Sequence, residues 1–366
     1  MPILKKIVVQ DFRNIAFQEL EFSPNINCIS GNNGEGKTNL MDAVYYLSMT
    51  KSAFPAPDKF NFRYGTDGFV IGGTYLMNGG VESKISVRVT SSEKKVVRDD
   101  KPYGRVSEHI GLLPVVMISP SDISMVSEAG EERRRFVNSV LSQMDREYLA
   151  SMLVYNRLLA QRNRILKDPV PDWDLISVID MKMENAAETI VKARREVTAS
   201  LGPIVESYYA LISGGSEKVS MDYRTDLEKA SLTELFASMR ERDRLLKFTG
   251  AGIQRDDFIF MMNGHPIRRS GSQGQQKSFL VALKFAQYEI MKQRYGFAPT
   301  LLLDDVFDKL DMNRIANLIG MVAGNEFGQI FITDSNKVRL SGIVDRITED
   351  RAYFDTAGGQ FTRQDV

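Results

Sequence analysis

A glycine-rich segment near the start of the chain, GNNGEGKT, constrains the fold more than any other feature of the sequence. It fits the pattern G-x-x-x-x-G-K-[ST]. A strand-like segment, NINCIS, precedes it, and a predicted helix follows from Lys37 to about Met49. Such a loop brings backbone N–H groups and a helix N-terminus against phosphate oxygens. The segment therefore predicts a nucleoside triphosphate site; a glycine-rich turn without a ligand is the alternative.

The predicted phosphate loop supplies most of the expected contacts to ATP. Lys37 is expected to reach the β- and γ-phosphates, and the hydroxyl of Thr38 to bind Mg²⁺. The expected nucleotide-binding residues of the loop are Gly31, Asn32, Asn33, Gly34, Glu35, Gly36, Lys37 and Thr38.

A second segment, TLLLDDVFDKLD at residues 300–311, is typical of a buried strand that ends in acids. In P-loop enzymes such a strand carries carboxylates to the phosphate loop. Asp304 is expected to hold Mg²⁺ together with Thr38, and Asp305 to act as general base on the attacking water. With Lys37 these aspartates form the predicted catalytic group; two solvated aspartates at a strand end are the alternative.

A third segment, SGSQGQQKS at residues 270–278, precedes a predicted helix and contains Ser272, Gly274 and Gln275. It resembles the signature loop of ATP-binding-cassette ATPases. In that class the loop lies too far from its own phosphate loop to touch the same nucleotide. The resemblance therefore implies a head-to-tail dimer in which each signature completes the site of the other subunit. A serine that only caps a helix is the alternative.

Composition limits how the chain can meet its partners. Of 366 residues, 47 are basic and 47 acidic, so any binding to nucleic acid must come from a local patch of charge. The single cysteine excludes an internal disulfide and favours a reducing compartment. No apolar run approaches the length of a membrane span, so we expect a cytoplasmic protein without a membrane partner.

The pattern of predicted elements gives the fold class. Residues 69–100 alternate apolar and polar side chains around an Asn-Gly-Gly turn, which predicts antiparallel strands, whereas residues 131–212 predict helices broken by prolines. The sequence predicts an α/β fold: an ABC-type P-loop ATPase head, with a mixed sheet, helices and an antiparallel β-subdomain, and an inserted helical lobe. The expected bounds are 1–120 and 251–366 for the ATP-binding domain and 121–250 for the helical lobe.

With these segments the chain resembles the RecF family of bacterial recombination and gap-repair ATPases, which are short relatives of SMC proteins. The resemblance covers nearly the whole length and rests on DFRNI, GNNGEGKTNLMDAVYYLS, ISPSDISMVSEAGEERRRFVN, GQQKS and LLLDDVFDKLD. It implies a role in DNA repair, DNA replication and the SOS response. ATP binding would close a dimer on DNA, and slow, DNA-stimulated hydrolysis would open it. The implied partners are single-stranded, gapped or junction DNA, a second copy of the chain, and RecR- and RecO-type repair proteins.

The resemblance also assigns functions to residues outside the three motifs. Asp311 is expected to contact the partner subunit as the D-loop aspartate. Thr333 and Asp334 occupy the place of the switch residue after the last strand. Arg13 is expected to reach the nucleotide, with a surface salt bridge as an equal alternative.

A basic run, YNRLLAQRNRILK at residues 155–167, provides candidate DNA contacts. It carries no acid and contains four cations: Arg157, Arg162, Arg164 and Lys167. A row of cations can neutralise phosphates without reading base sequence. The family resemblance favours this function over a solvated basic face. The nearby segment EERRRF fits equally a structural ion-pair network between lobes.

Two other functional classes share part of this pattern. A transporter ATPase subunit would carry all three motifs, but the interval between Lys37 and Ser272 leaves room for a large helical lobe. A nucleotide-gated adaptor, which recruits partner proteins with little turnover, would use the same phosphate loop. Stimulation of ATP hydrolysis by gapped DNA separates the enzyme from the adaptor.

Overall fold

The computed structural model describes residues 1–128, 130–215, 217–306, 327–345 and 348–364. The chain divides into two compact units, Met1–Asp122 with Gln287–Val366, and Ile123–Ala286. The second unit therefore interrupts the first in sequence. The segment 251–286, which the sequence analysis assigns to the ATP-binding domain, packs within the second unit.

Two six-stranded sheets build the first unit. The strands of one sheet are β1 Ile3–Phe12, β2 Ile15–Glu21, β4 Gly68–Leu76, β5 Glu82–Thr90, β6 Lys94–Arg98 and β7 Lys101–Pro102. The strands of the other are β3 Ile26–Ser30, β8 Val115–Ile118, β12 Thr300–Asp304, β13 Ile330–Asp334, β14 Arg351–Ala357 and β15 Gln360–Arg363. The first sheet is antiparallel in the order β2-β1-β4-β5-β6-β7.

The second sheet is mixed, in the order β15-β14-β3-β13-β12-β8. Only β14 and β15 pair antiparallel, and the other neighbours are parallel. All five residues of β3 and of β13 are buried, as expected for central parallel strands covered on both faces. In β4, by contrast, buried residues alternate with half-buried ones, and β4, β5 and β6 confirm the antiparallel strands predicted within 69–100.

Helix α1, Lys37–Met49, contacts strands of both sheets. Leu40, Val44 and Leu47, which share one face of the helix, are buried, and most other residues of the helix are buried too. A helix that is covered on nearly every side is held by packing rather than by its amphipathic pattern. The phosphate loop, which precedes α1, is therefore attached to a largely buried helix of the first unit.

The second unit is mainly helical, with one small sheet. Its helices are α2 Ser124–Ser127, α3 Gly130–Met144, α4 Arg146–Ile165, α5 Trp173–Ser213, α6 Leu232–Leu246, α7 Ile267–Ser270 and the first part of α8, Gln273–Tyr295. Its sheet has the order β11-β10-β9, from β9 Val219–Arg224, β10 Asp257–Met262 and β11 His265–Pro266. None of the helices in the described part of the chain is long and apolar enough to cross a membrane.

Local capping explains where the long helices begin. Asp145 accepts N–H bonds at the start of α4, Asp172 does so at the start of α5, and Ser231 forms a capping box at the start of α6. The α4–α5 connection contains two prolines, which confirms the predicted break in the helical region. Strand β9 was not predicted, because its segment, VSMDYR, is polar and short.

Candidate nucleotide-binding site

The loop between β3 and α1 adopts backbone angles that favour glycine at three positions, Gly31, Gly34 and Gly36. Gly31 has a φ of 156° and Gly36 a φ of 111°. A Cβ atom on Gly31 would lie 2.6 Å from the carbonyl oxygen of Thr356, and one on Gly36 would lie 2.9 Å from the side-chain nitrogen of Asn14. Glycine is thus favoured at Gly31 and Gly36 both by the backbone conformation and by neighbours that leave no room for a Cβ atom.

Helix α1 begins without a capping side chain, in contrast to α4, α5 and α6. The first N–H groups of an uncapped helix lack acceptors, and the helix dipole places partial positive charge beside them. This helix start is therefore suited to an anion, as the glycine-rich motif predicts.

A cavity of about 270 Å³ opens at the start of α1. Its lining residues are Asn33, Gly34, Gly36, Lys37, Thr38, Asn39, Asp304 and Asp305. Lys37 is only 6% exposed, and its Nζ donates to the carbonyl oxygens of Gly31 at 2.7 Å and Asn32 at 2.9 Å. The ammonium group is thus folded onto its own loop, where phosphate oxygens can replace the two carbonyl acceptors.

The structure brings Thr38 and Asp304 into direct contact at this cavity. The hydroxyl of Thr38 donates to Oδ2 of Asp304 at 2.8 Å, and the hydroxyl of Thr333 donates to Oδ1 at 2.7 Å. Asp304 is 2% exposed, and burial raises the pKa of its carboxyl, while the bonds from Thr333 and Thr38 act in the opposite direction. These oxygens form a compact cluster at the end of β12.

The two predicted switch residues have different surroundings. Thr333 bonds to Asp304 through its hydroxyl, and the same hydroxyl accepts the backbone N–H of Asp305 at 3.0 Å. Asp334 is buried, and its carboxylate accepts the N–H of Asn336 just before the next helix, α9, Lys337–Val344. Thr333 therefore touches both predicted catalytic aspartates. The predicted D-loop residue, Asp311, lies outside the described residues.

Arg13 lies behind the phosphate loop. Its guanidinium forms an ion pair with the buried carboxylate of Asp42 in α1, at 2.7 Å, and donates to Oδ1 of Asn39 at 3.1 Å. Burial raises the pKa of Asp42, and the nearby Arg13 offsets part of this shift. Arg13 thus forms a salt bridge with a buried carboxylate and not the surface salt bridge of the alternative, and it meets the cavity lining through Asn39.

The turn between β14 and β15 holds the phosphate loop from the other side. The backbone oxygen of Glu35 accepts the N–H of Gly359 at 2.9 Å and the hydroxyl of Thr356 at 3.1 Å. The carboxylate of Glu35 accepts the N–H of Gly358. No motif predicts this contact, although the Gly358-Gly359 pair between two short alternating segments is a recognisable hairpin signal.

The signature segment lies in the second unit, where Ser272 precedes α8 and is exposed. The Ser272 hydroxyl accepts the N–H of Gln275 at 3.2 Å, and the Gln275 side chain accepts the N–H of Ser272 at 2.7 Å. Gln275 also donates to Glu217 at 2.7 Å. Gly274 lies in the first turn of α8. The local geometry is therefore a capping box, and action of the loop on a second subunit stays a prediction.

Arg162 corrects the prediction for the basic run. It is 1% exposed, and its guanidinium donates to Asp180 and Asp243, each at 2.7 Å. The neighbouring cations Arg157, Arg164 and Lys167 are exposed. Arg162 therefore belongs to the buried interior of the second unit and not to a surface that DNA phosphates can reach.

The segment EERRRF forms ion pairs inside the second unit. Arg133 bonds to both carboxylate oxygens of Asp257, and Arg135 pairs with Glu131 and Glu132. These pairs are structural, as the alternative expected, but they join residues of one unit, whereas the expected network lay between lobes.

Comparison with known proteins identifies the family. The AAA domain family matches residues 6–197. The DNA replication and repair protein RecF of Parabacteroides distasonis is 41% identical over 358 residues, which is 98% of this chain and 98% of that protein. This chain belongs to the RecF family.

Solved structures agree with this assignment. The recombination mediator protein RecF with ATP, from the RecFOR pathway, matches with a TM-score of 0.88 at 27% identity, over 100% of this chain and 98% of that one. The Smc head domain of Pyrococcus furiosus matches with a TM-score of 0.57 at 14% identity, over 100% and 96%, and shares the fold. The predicted RecF resemblance and the ABC-type fold are confirmed. RecF membership favours DNA replication and repair over the transporter and adaptor alternatives.

Proposed function

We propose that this RecF-family chain is an ATPase of recombinational repair in which ATP binding closes a dimer on DNA and slow hydrolysis opens it. The observation that carries the proposal is the cavity at the start of α1, where Lys37, Thr38 and Asp304 converge. ATP is the proposed nucleotide because the related RecF structure contains it. DNA is the proposed partner because the relatives are DNA replication and repair proteins, and a DNA substrate supports a cytoplasmic location.

The residues present fit Mg²⁺. The hydroxyl oxygen of Thr38 and Oδ2 of Asp304 are 2.8 Å apart, close to the roughly 3.0 Å that separates adjacent ligands in an octahedron with bonds of about 2.1 Å. Both are hard oxygen donors, which Mg²⁺ prefers. Thr38 and Asp304 would hold the ion, and the ion would neutralise charge on the β- and γ-phosphates.

The chain's own groups then account for binding and hydrolysis. Lys37 would exchange its two carbonyl acceptors for phosphate oxygens, and the free N–H groups of α1 would bind the same phosphates. Asp305 lines the cavity, with its backbone fixed by Thr333, so its carboxylate is proposed to take the proton of the attacking water.

The signature is proposed to act on the nucleotide of a second subunit. Ser272 is exposed, and its hydroxyl can donate to a phosphate oxygen while it accepts the N–H of Gln275. Asp311 is proposed to lie at the same dimer interface. Arg157, Arg164 and Lys167 remain proposed DNA contacts, and RecR- and RecO-type proteins remain proposed partners.

Two substitutions test the nucleotide site. Lys37→Met should abolish dimerisation with ATP and retention on gapped DNA, because the phosphates lose their cation. Asp305→Asn should still dimerise, and its ATP hydrolysis should fall roughly a hundredfold or more, because the general base is lost. Dimerisation is measured by sedimentation velocity and hydrolysis at steady state with and without gapped DNA. An Asp305→Asn variant that hydrolyses ATP at the wild-type rate would contradict the assignment of the base.

A third substitution tests the signature. Ser272→Arg should leave ATP binding to the monomer unchanged and prevent dimerisation, because the bulky cation blocks the approach of the other subunit's phosphates. Ser200→Arg, at an exposed serine of α5, is the matched control and should dimerise normally. If Ser272→Arg dimerises with ATP as the wild type does, the signature does not act between subunits.

A further inference from the structure

A second cavity, of about 230 Å³, lies within the second unit. Its lining residues are Val126, Arg133, Arg224, Ile259, Phe260, Pro266, Ile267, Arg268 and Arg269. Four of these nine residues are arginines and none is acidic, although the chain as a whole has no net charge. We call this site the arginine cavity. Arg224, Arg268 and Arg269 lie outside the nucleotide-binding motifs and the basic run.

Three secondary-structure elements place the cations around an apolar floor. Arg224 ends β9, Arg268 and Arg269 lie on α7, and Arg133 projects from α3. The floor is apolar and largely buried: Val126 and Ile267 are each 1% exposed and Phe260 is 4% exposed. The site is thus a fixed concave surface.

Arg133 differs from the other three arginines because its charge is already compensated. Its guanidinium bonds to both carboxylate oxygens of Asp257, at 2.9 and 3.0 Å, and to the carbonyl oxygens of Met125 and Glu128. It also lies 5.8 Å from the centre of the Phe260 ring. Arg133 therefore builds the floor of the cavity, and its contacts hold α3 against β10.

Arg224, Arg268 and Arg269 are exposed, and within the described ranges no hydrogen bond or ion pair engages their guanidinium groups. Asp222 shares one face of β9 with Arg224 but does not line the cavity. These three guanidinium groups line one concavity, and this arrangement favours a ligand with more than one negative charge.

We infer that the arginine cavity binds the phosphodiester backbone of DNA; this inference rests on the proposed DNA-binding function and assigns a surface to it. Guanidinium groups match phosphate oxygens in pairs, and the apolar floor suits the deoxyribose between two phosphates. Phe260 is too buried to stack on a base, and arginines that pair with phosphate oxygens carry no direct information on base sequence. The contact is therefore independent of base sequence.

Two features favour a polymer over a nucleotide as the source of the phosphates. Consecutive residues on a helix point about 100° apart, so Arg268 and Arg269 reach in different directions, towards two phosphates rather than one. The cavity also has no carboxylate or hydroxyl side chain for the Mg²⁺ that accompanies ATP, in contrast to Thr38 and Asp304 at the first cavity.

The test is the double variant Arg268→Gln with Arg269→Gln, which removes two charges from exposed side chains. Its matched control is Arg242→Gln with Lys247→Gln, which removes two exposed charges elsewhere in the second unit. Affinity for a labelled gapped duplex is measured with ATP between 50 and 200 mM salt. The cavity variant should bind roughly tenfold or more weakly at low salt. Its plot of log affinity against log salt should be flatter by roughly 1 to 2.

Further measurements identify the source of the phosphates. The cavity variant should lose the same DNA affinity for two unrelated DNA sequences, and the control variant should bind DNA like the wild type. ATP-dependent dimerisation without DNA should be unchanged in the cavity variant. If it is lost instead, the arginines contact a nucleotide and the inference is wrong.

Failure of the inference can be told apart from failure of the proposed function. If the wild type is retained on DNA with ATP and the cavity variant binds equally well with the same salt slope, the arginine cavity does not contact DNA. If the wild type itself shows no ATP-dependent retention on DNA, the proposed function fails. A urea midpoint equal to that of the wild type verifies that the cavity variant is folded.

Discussion

Replacing Arg162 by methionine distinguishes a structural function of this buried arginine from the DNA contact that its sequence context suggests. In the native second unit the guanidinium donates to Asp180 and Asp243, each at 2.7 Å, and to the hydroxyl of Thr249 at 2.9 Å. It also lies 4.2 Å from the centre of the Phe236 ring. Methionine keeps most of the volume of the stem but leaves both carboxylates without their cation.

The expected loss of stability follows from these contacts. Removing one partner of a buried ion pair costs about 3 to 5 kcal/mol, and here one arginine serves two carboxylates. We expect a loss of about 4 to 5 kcal/mol. With a urea dependence of about 2 kcal/mol per molar, the midpoint should fall by about 2 M.

The loss of stability in Arg162→Met should depend on pH in a defined direction. Burial raises the pKa of Asp180, and Arg162 offsets part of this shift. Without Arg162 the folded-state pKa rises further. A raised carboxyl pKa gives stability that is present below the unfolded value of about 4 and is lost as pH rises through the folded value. The destabilisation should therefore be largest at neutral pH and smaller near pH 4.

Tryptophan fluorescence is a suitable assay because the only tryptophan of the sequence, Trp173, begins α5 in the same unit. The matched control is Arg157→Met, an exposed arginine on the same helix, whose midpoint should not move. Adding Asp180→Leu and Asp243→Asn to Arg162→Met should restore most of the stability, since no buried charge is then left unpaired. An unchanged midpoint in Arg162→Met, together with weakened DNA binding, would refute the structural assignment.

Two further predictions concern the first unit. His109 is fully buried and donates from Nε2 to the Leu47 carbonyl at 2.6 Å, and burial lowers its pKa, so stability should fall as pH drops below about 6.5. Urea titrations followed by circular dichroism measure the free energy of unfolding at each pH. Below about pH 6.5 this free energy should fall more steeply in the wild type than in His109→Gln, by up to about 1.4 kcal/mol per pH unit. Equal slopes in the two proteins would contradict the prediction. Gly31→Ala should weaken binding of a fluorescent ATP analogue at least about tenfold, because its Cβ meets Thr356, whereas Gly72→Ala in β4 should bind normally. Normal binding by Gly31→Ala would show that the loop can move away from Thr356.

The phosphate loop and its acids can be predicted from sequence because their chemistry requires fixed residue types at short spacings. Lys37 and Thr38 are neighbours, and Asp304 ends an apolar strand that is recognisable by itself. The contact of Thr38 with Asp304 then follows from the parallel order of the mixed sheet, which carries β3, β13 and β12 side by side.

Other parts of the site depend on contacts that no short pattern contains. Arg162 is spaced like a surface cation on α4, and its burial depends on acids in α5 and α6 that compensate its charge. The position of the Arg13 guanidinium likewise depends on its ion pair with Asp42, a buried residue of α1. A charged residue looks the same in a sequence whether water or a distant carboxylate solvates it.

The bonds between the β14–β15 turn and the phosphate loop have a consequence for synthesis of the protein. Glu35 and Thr356, which bond to each other, are 321 residues apart. At roughly 5 to 20 residues per second, a ribosome adds Thr356 about 16 to 64 seconds after Glu35. The whole second unit is translated within that interval. A nascent chain can thus complete its helical unit while its phosphate loop still lacks the turn that supports it, so only a nearly finished chain has a braced loop with which to bind ATP.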